Sequence, residues 1–223
     1  MKKPPGKRHQ NKAGAPQLRR AFAKIDPPRL SDVYERTRVF ALLESFSDRR
    51  VIWLSAPPGY GKTIAIASWL RSHPGRVIWY QCDEGDADIA SFFYFLSLAL
   101  ANDSIAEGSA PPTLTPELYG SLPTFVRNYF RKFCAQLTAP GFLVLDNWQD
   151  IPANAPLRDL LPIAIGELPA GITLIVISRE EPAANLGRLR VTAQMATLGW
   201  EDLKLTEQEL IGISGIVTAN DAS

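Results

Sequence analysis

Residues 56–63 read Ala-Pro-Pro-Gly-Tyr-Gly-Lys-Thr, and the residue types and spacing of this stretch point most clearly to chemistry. Glycines followed by a lysine and a threonine match the pattern of a phosphate-binding loop. In such a loop, backbone N–H groups surround an anion at the start of a helix, whose dipole adds partial positive charge. The motif therefore predicts binding of a nucleoside triphosphate, with ATP and Mg²⁺ as the expected ligands.

The residues of this loop have separate expected roles. Pro57 and Pro58 carry no N–H, so the donors to phosphate must come from the residues after them. These donors are Gly59, Tyr60, Gly61, Lys62 and Thr63. The Lys62 ammonium can reach the β- and γ-phosphates and is a candidate catalytic group, while the Thr63 hydroxyl can bind Mg²⁺.

Asp146 is the second candidate ligand of Mg²⁺ and a second candidate catalytic residue. It directly follows the apolar run 142–145, which places it at the tip of a predicted strand. A P-loop enzyme needs a carboxylate in this position to hold the metal, usually through water. The alternative is a carboxylate that only caps the strand end or a turn.

Asn147 follows Asp146 directly. ATPases with an additional strand between the loop strand and the carboxylate strand use a second acid at or near this position to polarise the attacking water. An asparagine amide cannot accept that proton. We therefore expect at most slow ATP hydrolysis, unless another base such as Asp150 takes over the role.

Arg179 stands at the end of another apolar run, residues 172–177, after Ser178. The carboxyl ends of parallel strands line the ligand crevice of an open α/β sheet. An arginine there can contact a γ-phosphate and is a candidate catalytic or sensor residue. The alternative is a surface arginine paired with Glu180 or Glu181.

The elements that would position these residues alternate between strands and helices. Apolar, β-branched runs predict strands at 51–55, 77–82, 142–145, 172–177 and 195–198. Predicted helices begin at Ser31 or Asp32 and run to about 46, then cover about 61–71, 87–101 and 124–138, with a last helix after the capping box at 206–209. The run 172–177 is apolar on both faces, as in a parallel sheet between helix layers. We predict an α/β fold, a P-loop NTPase three-layer sandwich with a mostly parallel central sheet.

Charged residues are distributed unevenly along the chain. Residues 1–25 contain eight lysines or arginines and no acid, although the whole chain has a net charge of only +1. We predict a disordered basic arm over 1–23, a P-loop domain over 24–212 and a truncated or disordered tail over 213–223. A basic arm that binds nucleic acid or acidic lipid is the alternative to a solvated one.

The apolar stretches, the cysteines and the histidines indicate the location of the protein and the kinds of site it lacks. The longest apolar stretch, residues 89–101, is too short to cross a bilayer, and the amino terminus lacks the apolar core of a signal peptide. Cys82 and Cys134 have no metal-binding spacing and are expected to be buried thiols in a reducing compartment. The two histidines, His9 and His73, lack neighbours that would make a zinc site or a hydrolase triad. These features predict a cytoplasmic protein that does not contact a membrane.

Several stretches together, in order, resemble a known family over about residues 24–212. They are 24–30 (KIDPPRL), 35–39 (ERTRV), 55–63 (SAPPGYGKT), 79–86 (WYQCDEGD), 92–96 (FFYFL), 145–149 (LDNWQ), 178–179 (SR), 186–190 (LGRLR) and 202–206 (DLKLT). The series resembles the N-terminal nucleotide-binding domain of MalT-like transcriptional regulators, which are LuxR-type members of the STAND signalling ATPases.

This resemblance implies a switch between an ADP-bound resting state and an ATP state that an inducer promotes and that self-associates. It also implies that Arg36 and Pro28 form walls of the base pocket. Asn147 and Gln149 depart from the family, which has an aspartate and a histidine there. The DNA-binding domain of the family is not in this chain, so we expect no sequence-specific DNA binding by this chain alone.

The leading hypothesis from the sequence is an ATP·Mg²⁺-binding regulatory switch module, at most a slow ATPase, from a MalT-like regulator. One alternative is a P-loop ATPase or small-molecule kinase that acts as an enzyme. Another is a non-catalytic pseudo-ATPase scaffold, which the asparagine at position 147 suggests.

Overall fold

The computed structural model describes residues 23–102 and 109–221, and for residues 217–221 it describes the backbone alone. The predicted basic arm lies outside the described residues except for Ala23. Within the described part of the chain, no helix is long and apolar enough to cross a membrane.

A parallel sheet forms the centre of the molecule. Its strands are β1 (Val51–Ser55), β2 (Arg76–Gln81), β3 (Gly141–Asp146), β4 (Ile172–Ser178) and β5 (Met195–Leu198). The spatial order is β2-β3-β4-β1-β5, and every pair of neighbours is parallel. β4 therefore separates the strand that leads into the phosphate loop from the strand that ends at Asp146. All carboxyl ends meet at one edge of the sheet, as the sequence analysis predicted.

Helices cover both faces of the sheet. The helices are α1 (Thr37–Glu44), α2 (Lys62–Arg71), α3 (Ile89–Ala101), α4 (Leu122–Cys134), α5 (Pro156–Gly166), α6 (Gly187–Val191), α7 (Trp200–Leu203) and α8 (Glu207–Asp221). α1 and α2 pack on one face, and α3, α4 and α5 pack on the other. The chain thus has the predicted P-loop NTPase fold, a three-layer α/β sandwich.

The side chains of β1 illustrate how one strand serves both layers. Val51 and Trp53 belong to the core beneath α3, α4 and α5, whereas Ile52 and Leu54 belong to the core beneath α1 and α2. Successive side chains of a strand point to opposite faces of the sheet. An unbroken apolar run therefore suits a strand that helices cover on both sides.

The first helix differs from its prediction. This helix was predicted to begin at Ser31 or Asp32, but α1 begins at Thr37. Asp32 has a left-handed backbone with φ of 46°, and Arg36 is not helical, with φ of −85° and ψ of 76°. The backbone turns at Arg36, whose side chain reaches the carbonyl oxygens of Tyr60 and Leu203.

Two further differences concern helices. α5 was not predicted, because Pro156 and Pro162 interrupt its apolar pattern, although proline in the first turn suits a helix start. α8 runs to Asp221, beyond residue 212, where the sequence analysis placed the end of the folded part. Its predicted capping box is present, since the Thr206 N–H donates to Glu209 and the Glu209 N–H donates to the Thr206 hydroxyl.

An extended connector before α1 crosses the carboxyl end of β2. The Gln81 N–H donates to the Lys24 carbonyl oxygen at 2.7 Å, and the Lys24 ammonium contacts Asp83 at 2.6 Å and Asp86 at 3.1 Å. Ile25 is buried in the core beneath α3, and Leu30 packs against the core beneath α1. The connector therefore links the two helix layers beside the edge where the strands end.

Both cysteines are buried free thiols, as predicted. Burial raises the pKa of Cys134 to about 12, with a smaller contribution from Glu167. The thiol is therefore protonated at neutral pH and behaves as an apolar core group.

Candidate functional site

The loop at residues 56–63 joins the end of β1 to the start of α2. Gly59 and Gly61 have left-handed backbones, with φ of 87° and 70°. This conformation strains a residue with a side chain, so glycine suits both positions. Gly61 immediately precedes the first residue of α2, Lys62, so the loop ends at a helix N-terminus. The geometry matches the predicted anion-binding loop.

The Lys62 ammonium bends back over this loop. It donates to the carbonyl oxygens of Ala56 at 2.6 Å and Pro57 at 3.0 Å. Burial lowers the pKa of Lys62, and the nearby Arg179 charge lowers it further, while Asp146 acts in the opposite direction. An anion placed near this pair of cations would stabilise the charged form of Lys62 and raise its pKa.

Thr63, in the first turn of α2, meets Asp146 at the tip of β3. The Thr63 hydroxyl donates to Asp146 Oδ1 at 3.1 Å, and the Asn147 N–H donates to the same oxygen at 2.9 Å. Asp146 is 3% exposed. Burial raises the pKa of Asp146, although the Thr63 and Asn147 hydrogen bonds and the Lys62 charge oppose this shift.

These two side chains fit a magnesium ion. Mg²⁺ in phosphate sites is bound by one or two protein oxygens together with phosphate oxygens and water. A buried carboxylate in direct contact with a hydroxyl supplies such a pair. The ionised carboxylate is also unfavourable in its buried position, so a nearby cation would stabilise it.

A cavity of about 320 Å³ lies on the phosphate side of the loop. Its lining consists of loop residues and the ends of β3 and β4: Pro58, Gly59, Gly61, Lys62, Thr63, Ile64, Asn147, Gln149 and Arg179. The structure therefore brings together the lysine, threonine, asparagine and arginine that the sequence analysis singled out. Asp150, the substitute base considered there, does not line this cavity.

The two acids considered as surface partners of Arg179 have other partners. Glu180 pairs with Arg158 at 2.9 Å, and Glu181 accepts from the Ser55 hydroxyl at 2.6 Å. Contact between Arg179 and a γ-phosphate stays a prediction. The Arg179 N–H donates to Gln149 Oε1 at 3.0 Å, which ties the end of β4 to the loop after β3.

A second cavity, of about 350 Å³, lies on the other side of the loop. Its walls are mainly apolar, and they come from the chain before α1, from α1, from α2 and from α8. The lining residues are Asp32, Val33, Tyr34, Arg36, Phe40, Gly59, Tyr60, Gly61, Ile64, Ala65, Ser68, Leu205, Ile213 and Ile216. Gly59, Gly61 and Ile64 line both cavities, so the two cavities are adjacent around the loop.

Sequence reasoning missed Ser68 and α8 as parts of this site. Ser68 is 3% exposed, and its hydroxyl has no hydrogen-bond partner among the residues that the structure describes. A polar residue in the otherwise apolar run 64–70 was a signal, but its surroundings depend on α1 and α8. Such a buried hydroxyl is free to bind a polar atom of a ligand.

Arg36 lines the second cavity, but the ends of its guanidinium are engaged by other groups. Nη1 donates to the Tyr60 carbonyl at 3.3 Å, and Nη2 donates to the Leu203 carbonyl at 2.8 Å and to Glu209 at 3.1 Å. Among the described residues, Nε of this guanidinium has no hydrogen-bond partner. Direct contact between Arg36 and a nucleotide stays a prediction.

Pro28 does not line the second cavity. It lies across α2, at a third cavity of about 410 Å³ that also contacts Thr63, Trp79 and Asp146. The connector that carries Pro28 crosses the end of β2 rather than that of β5. Pro28 therefore lies on the side of the loop where Thr63 and Asp146 meet, and its role as a wall of a base pocket stays a prediction.

No family model matches the chain. Similar solved structures include the Drosophila ORC bound to AT-rich DNA and Cdc6, with a TM-score of 0.46 and 12% identity over 74% of this chain and 56% of that one. The Walker-type ATPase PABY2304 of Pyrococcus abyssi has a TM-score of 0.45 and 16% identity over 74% of this chain and 53% of that one. The cytoplasmic domain of the Thermomonospora curvata type VII secretion ATPase EccC has a TM-score of 0.34 and 18% identity over 72% of this chain and 21% of that one.

The chain spans little more than half the length of the first two of these proteins. At these values, function does not transfer from them. The P-loop NTPase fold of this protein rests on its own features: the parallel sheet, the strand between β1 and β3, and the glycine loop at the start of α2.

Proposed function

We propose that this protein binds ATP with Mg²⁺ and acts as a nucleotide-dependent switch rather than as a fast enzyme. The observation that carries the proposal is the position of the phosphate loop between two adjacent cavities of different character. One cavity contains Lys62 and Arg179, and the other is mainly apolar. A nucleoside triphosphate has the same division into a charged chain and an aromatic base.

Each part of the nucleotide has a place in this arrangement. The phosphates lie against the N–H groups from Gly59 onward and near Lys62, which leaves its two carbonyl partners to contact them. Thr63 and Asp146 hold the magnesium ion, which neutralises phosphate charge when bound. The base lies between α1, α2 and α8, where Ser68 offers a buried hydroxyl.

The switch depends on different affinities for ATP and ADP. A ligand shifts a conformational equilibrium only through differential affinity for the two states. Arg179 and Lys62 line the cavity in which a γ-phosphate would lie. The γ-phosphate contacts of these two cations are therefore the proposed source of the difference.

Slow ATP hydrolysis follows from the groups that line the first cavity, on the phosphate side of the loop. Asn147 and Gln149 line it, and neither side chain can accept a proton from water. Gln149 also accepts the Arg179 N–H. These amides can orient a water molecule, but they cannot act as a general base.

The regulatory role follows from the resemblance to the MalT-like STAND ATPases. In that scheme an inducer favours the ATP-bound form, which then self-associates. We propose the same class of role here. An inducer and an oligomeric partner are parts of this proposal.

Replacing Arg179 with alanine should lower the preference for ATP over ADP about tenfold, the lower end of the range for a hydrogen bond to a charged group. The affinity for ADP should change little, because Arg179 faces the γ-phosphate position. Calorimetric titration with each nucleotide measures the ratio. Arg190→Ala, at an exposed position on α6, is the matched control. Equal loss of ATP and ADP affinity would contradict this role for Arg179.

One observation favours a second candidate, a P-loop enzyme that transfers phosphate to a small molecule. The third cavity touches Thr63 and Asp146 from the side opposite the second cavity, which we call the base cavity. It has room for a molecule that accepts the phosphate. A steady-state phosphate release or transfer rate of about 1 s⁻¹ or faster would favour this enzyme over the switch.

A further inference from the structure

Three segments that are far apart in the sequence meet at the Arg36 guanidinium. It contacts the phosphate loop at the Tyr60 carbonyl, the end of α7 at the Leu203 carbonyl, and α8 at Glu209. Arg36 is 6% exposed and Glu209 is 5% exposed. A buried ion pair with several hydrogen bonds costs much to break from one side, because the remaining charge is left unpaired.

Glu209 receives hydrogen bonds from three directions. Its Oε2 accepts from Arg36 at 3.1 Å, from Arg38 at 3.4 Å and from the Thr206 N–H at 3.0 Å. Burial alone would raise the pKa of Glu209, but the Thr206 hydrogen bond and the two arginines outweigh it and hold the pKa below its ordinary value. Glu209 is therefore ionised at neutral pH, and it fixes the first turn of α8 against α1.

The helix fixed in this way forms one wall of the base cavity. Ile213 and Ile216, on the next turns of α8, line that cavity. Gly212 lies against the Tyr34 ring so closely that an added Cβ would be 2.1 Å from its Cε2 atom. Tyr34 lines the same cavity. The position of α8 therefore sets the width of the space available to a base.

The unpartnered polar atoms point to a ligand in the same place. Among the described residues, the buried side-chain atoms without a hydrogen-bond partner are Arg36 Nε, Ser68 Oγ and Glu209 Oε1. Arg36 and Ser68 line the base cavity, and Glu209 binds Arg36. Buried polar groups in native proteins are normally satisfied, so their concentration around one cavity indicates a place where a polar ligand binds.

From this geometry we infer that Arg36 and Glu209 are a positioning pair, which holds α8 in place as one wall of the base cavity. Recognition of the base therefore depends on the docking of α8. The guanidinium acts through the loop backbone and α8, not as a direct ligand of the base with its terminal nitrogens. The inference rests on the proposed nucleotide binding and adds a regulated part to that site. Whatever displaces α8 would release the base and leave the phosphate loop formed.

The experiment compares ATP with inorganic tripolyphosphate, each with Mg²⁺, by calorimetric titration of the full chain. Glu209→Gln keeps the shape of the side chain and removes its charge. We expect this variant to bind ATP about tenfold more weakly and to bind tripolyphosphate within about twofold of the wild type. Glu207→Gln, at an exposed position two residues before Glu209 on the same helix, should match the wild type for both ligands.

A second variant removes the wall without changing the ion pair. Ile213→Ala combined with Ile216→Ala should give the same selective loss of ATP affinity, and it decides the question if Glu209→Gln fails to fold in a thermal melt. Equal losses for ATP and tripolyphosphate, or no loss for either, would overturn the inference. A wild-type protein that binds neither ligand would instead overturn the proposed function.

Discussion

Replacing Lys62 with alanine is expected to weaken ATP binding about 10- to 100-fold, because a hydrogen bond to a charged group contributes about 1.5–3 kcal/mol. The fold should survive, since the hydrogen bonds of the Lys62 ammonium within the described part of the chain go to the backbone carbonyls of Ala56 and Pro57. The turn itself depends on Gly59 and Gly61, whose left-handed backbones the substitution leaves unchanged. Calorimetric titration with ATP and Mg²⁺ measures the affinity, and a thermal melt without ligand checks the fold.

The matched control for this prediction is Lys132→Ala, at an exposed position on α4 far from the loop in sequence. It removes the same charge and should leave the affinity for ATP unchanged. Unchanged ATP affinity in the Lys62 variant would mean that the loop does not hold phosphate in the proposed way. A loss of the same size in both variants would indicate a general effect of net charge.

Replacing Asp146 with asparagine is expected to lower the affinity for ATP with Mg²⁺ by about 10- to 100-fold, the range found for groups that orient a metal and its ligands. The ligand-free protein should be at least as stable as the wild type. Asparagine keeps an oxygen that can accept the Thr63 and Asn147 hydrogen bonds, and it carries no charge to bury. For a chain of this length, each 1 kcal/mol gained raises the melting temperature by about 2–4 °C.

The pH dependence of this stability difference follows from the pKa of Asp146. Burial raises that pKa in the folded state above its value in the unfolded chain. The folded state therefore binds the proton more tightly, and the wild type loses stability as the pH rises through the raised pKa. The asparagine variant has no such group, so its advantage in melting temperature should grow from acidic to neutral pH.

Protonation of Asp146 also competes with the metal. The Mg²⁺-dependent part of the ATP affinity should therefore decline, as the pH is lowered, at a higher pH than for an ordinary aspartate. Asp159→Asn, at an exposed position on α5, is the control for both measurements. An Asp146→Asn variant that melts well below the wild type, or that keeps full affinity for ATP with Mg²⁺, would contradict this account of the carboxylate.

Much of the sheet and the phosphate side of the candidate site could be predicted, because short stretches of sequence indicate them. The strands β1, β4 and β5 are continuous apolar runs, and their predicted bounds agree with the structure to within one residue. The phosphate loop, Asp146 and Arg179 each follow such a run, so a parallel sheet brings them to one edge. The physical reason is that strand direction alone decides which end of each run faces the ligand.

The other half of the site depends on contacts between distant segments. Arg36 and Glu209 are 173 positions apart along the chain, and no pattern near either residue indicates the other. Ser68 lies within an apolar helix, and its place in the cavity wall could not be predicted without the position of α8. The capping box predicted where α8 starts, but not the surface against which it packs.

Local rules also conflicted with tertiary contacts in two elements. Ser31 and Asp32 are good helix caps by residue type, yet the helix begins at Thr37, after Arg36 has turned inward to bind backbone carbonyls. In α5, Pro162 breaks the expected periodicity, although Leu160, Leu161 and Ile165 still face the core. Burial of these side chains favours the helix in spite of the proline.

The most direct test of nucleotide binding is a calorimetric titration of the wild-type chain with ATP in the presence of Mg²⁺. The two adjacent cavities around the phosphate loop predict saturable binding with one ATP per chain. The absence of saturable heat for ATP, with and without Mg²⁺, from a protein that melts cooperatively would contradict the proposed function.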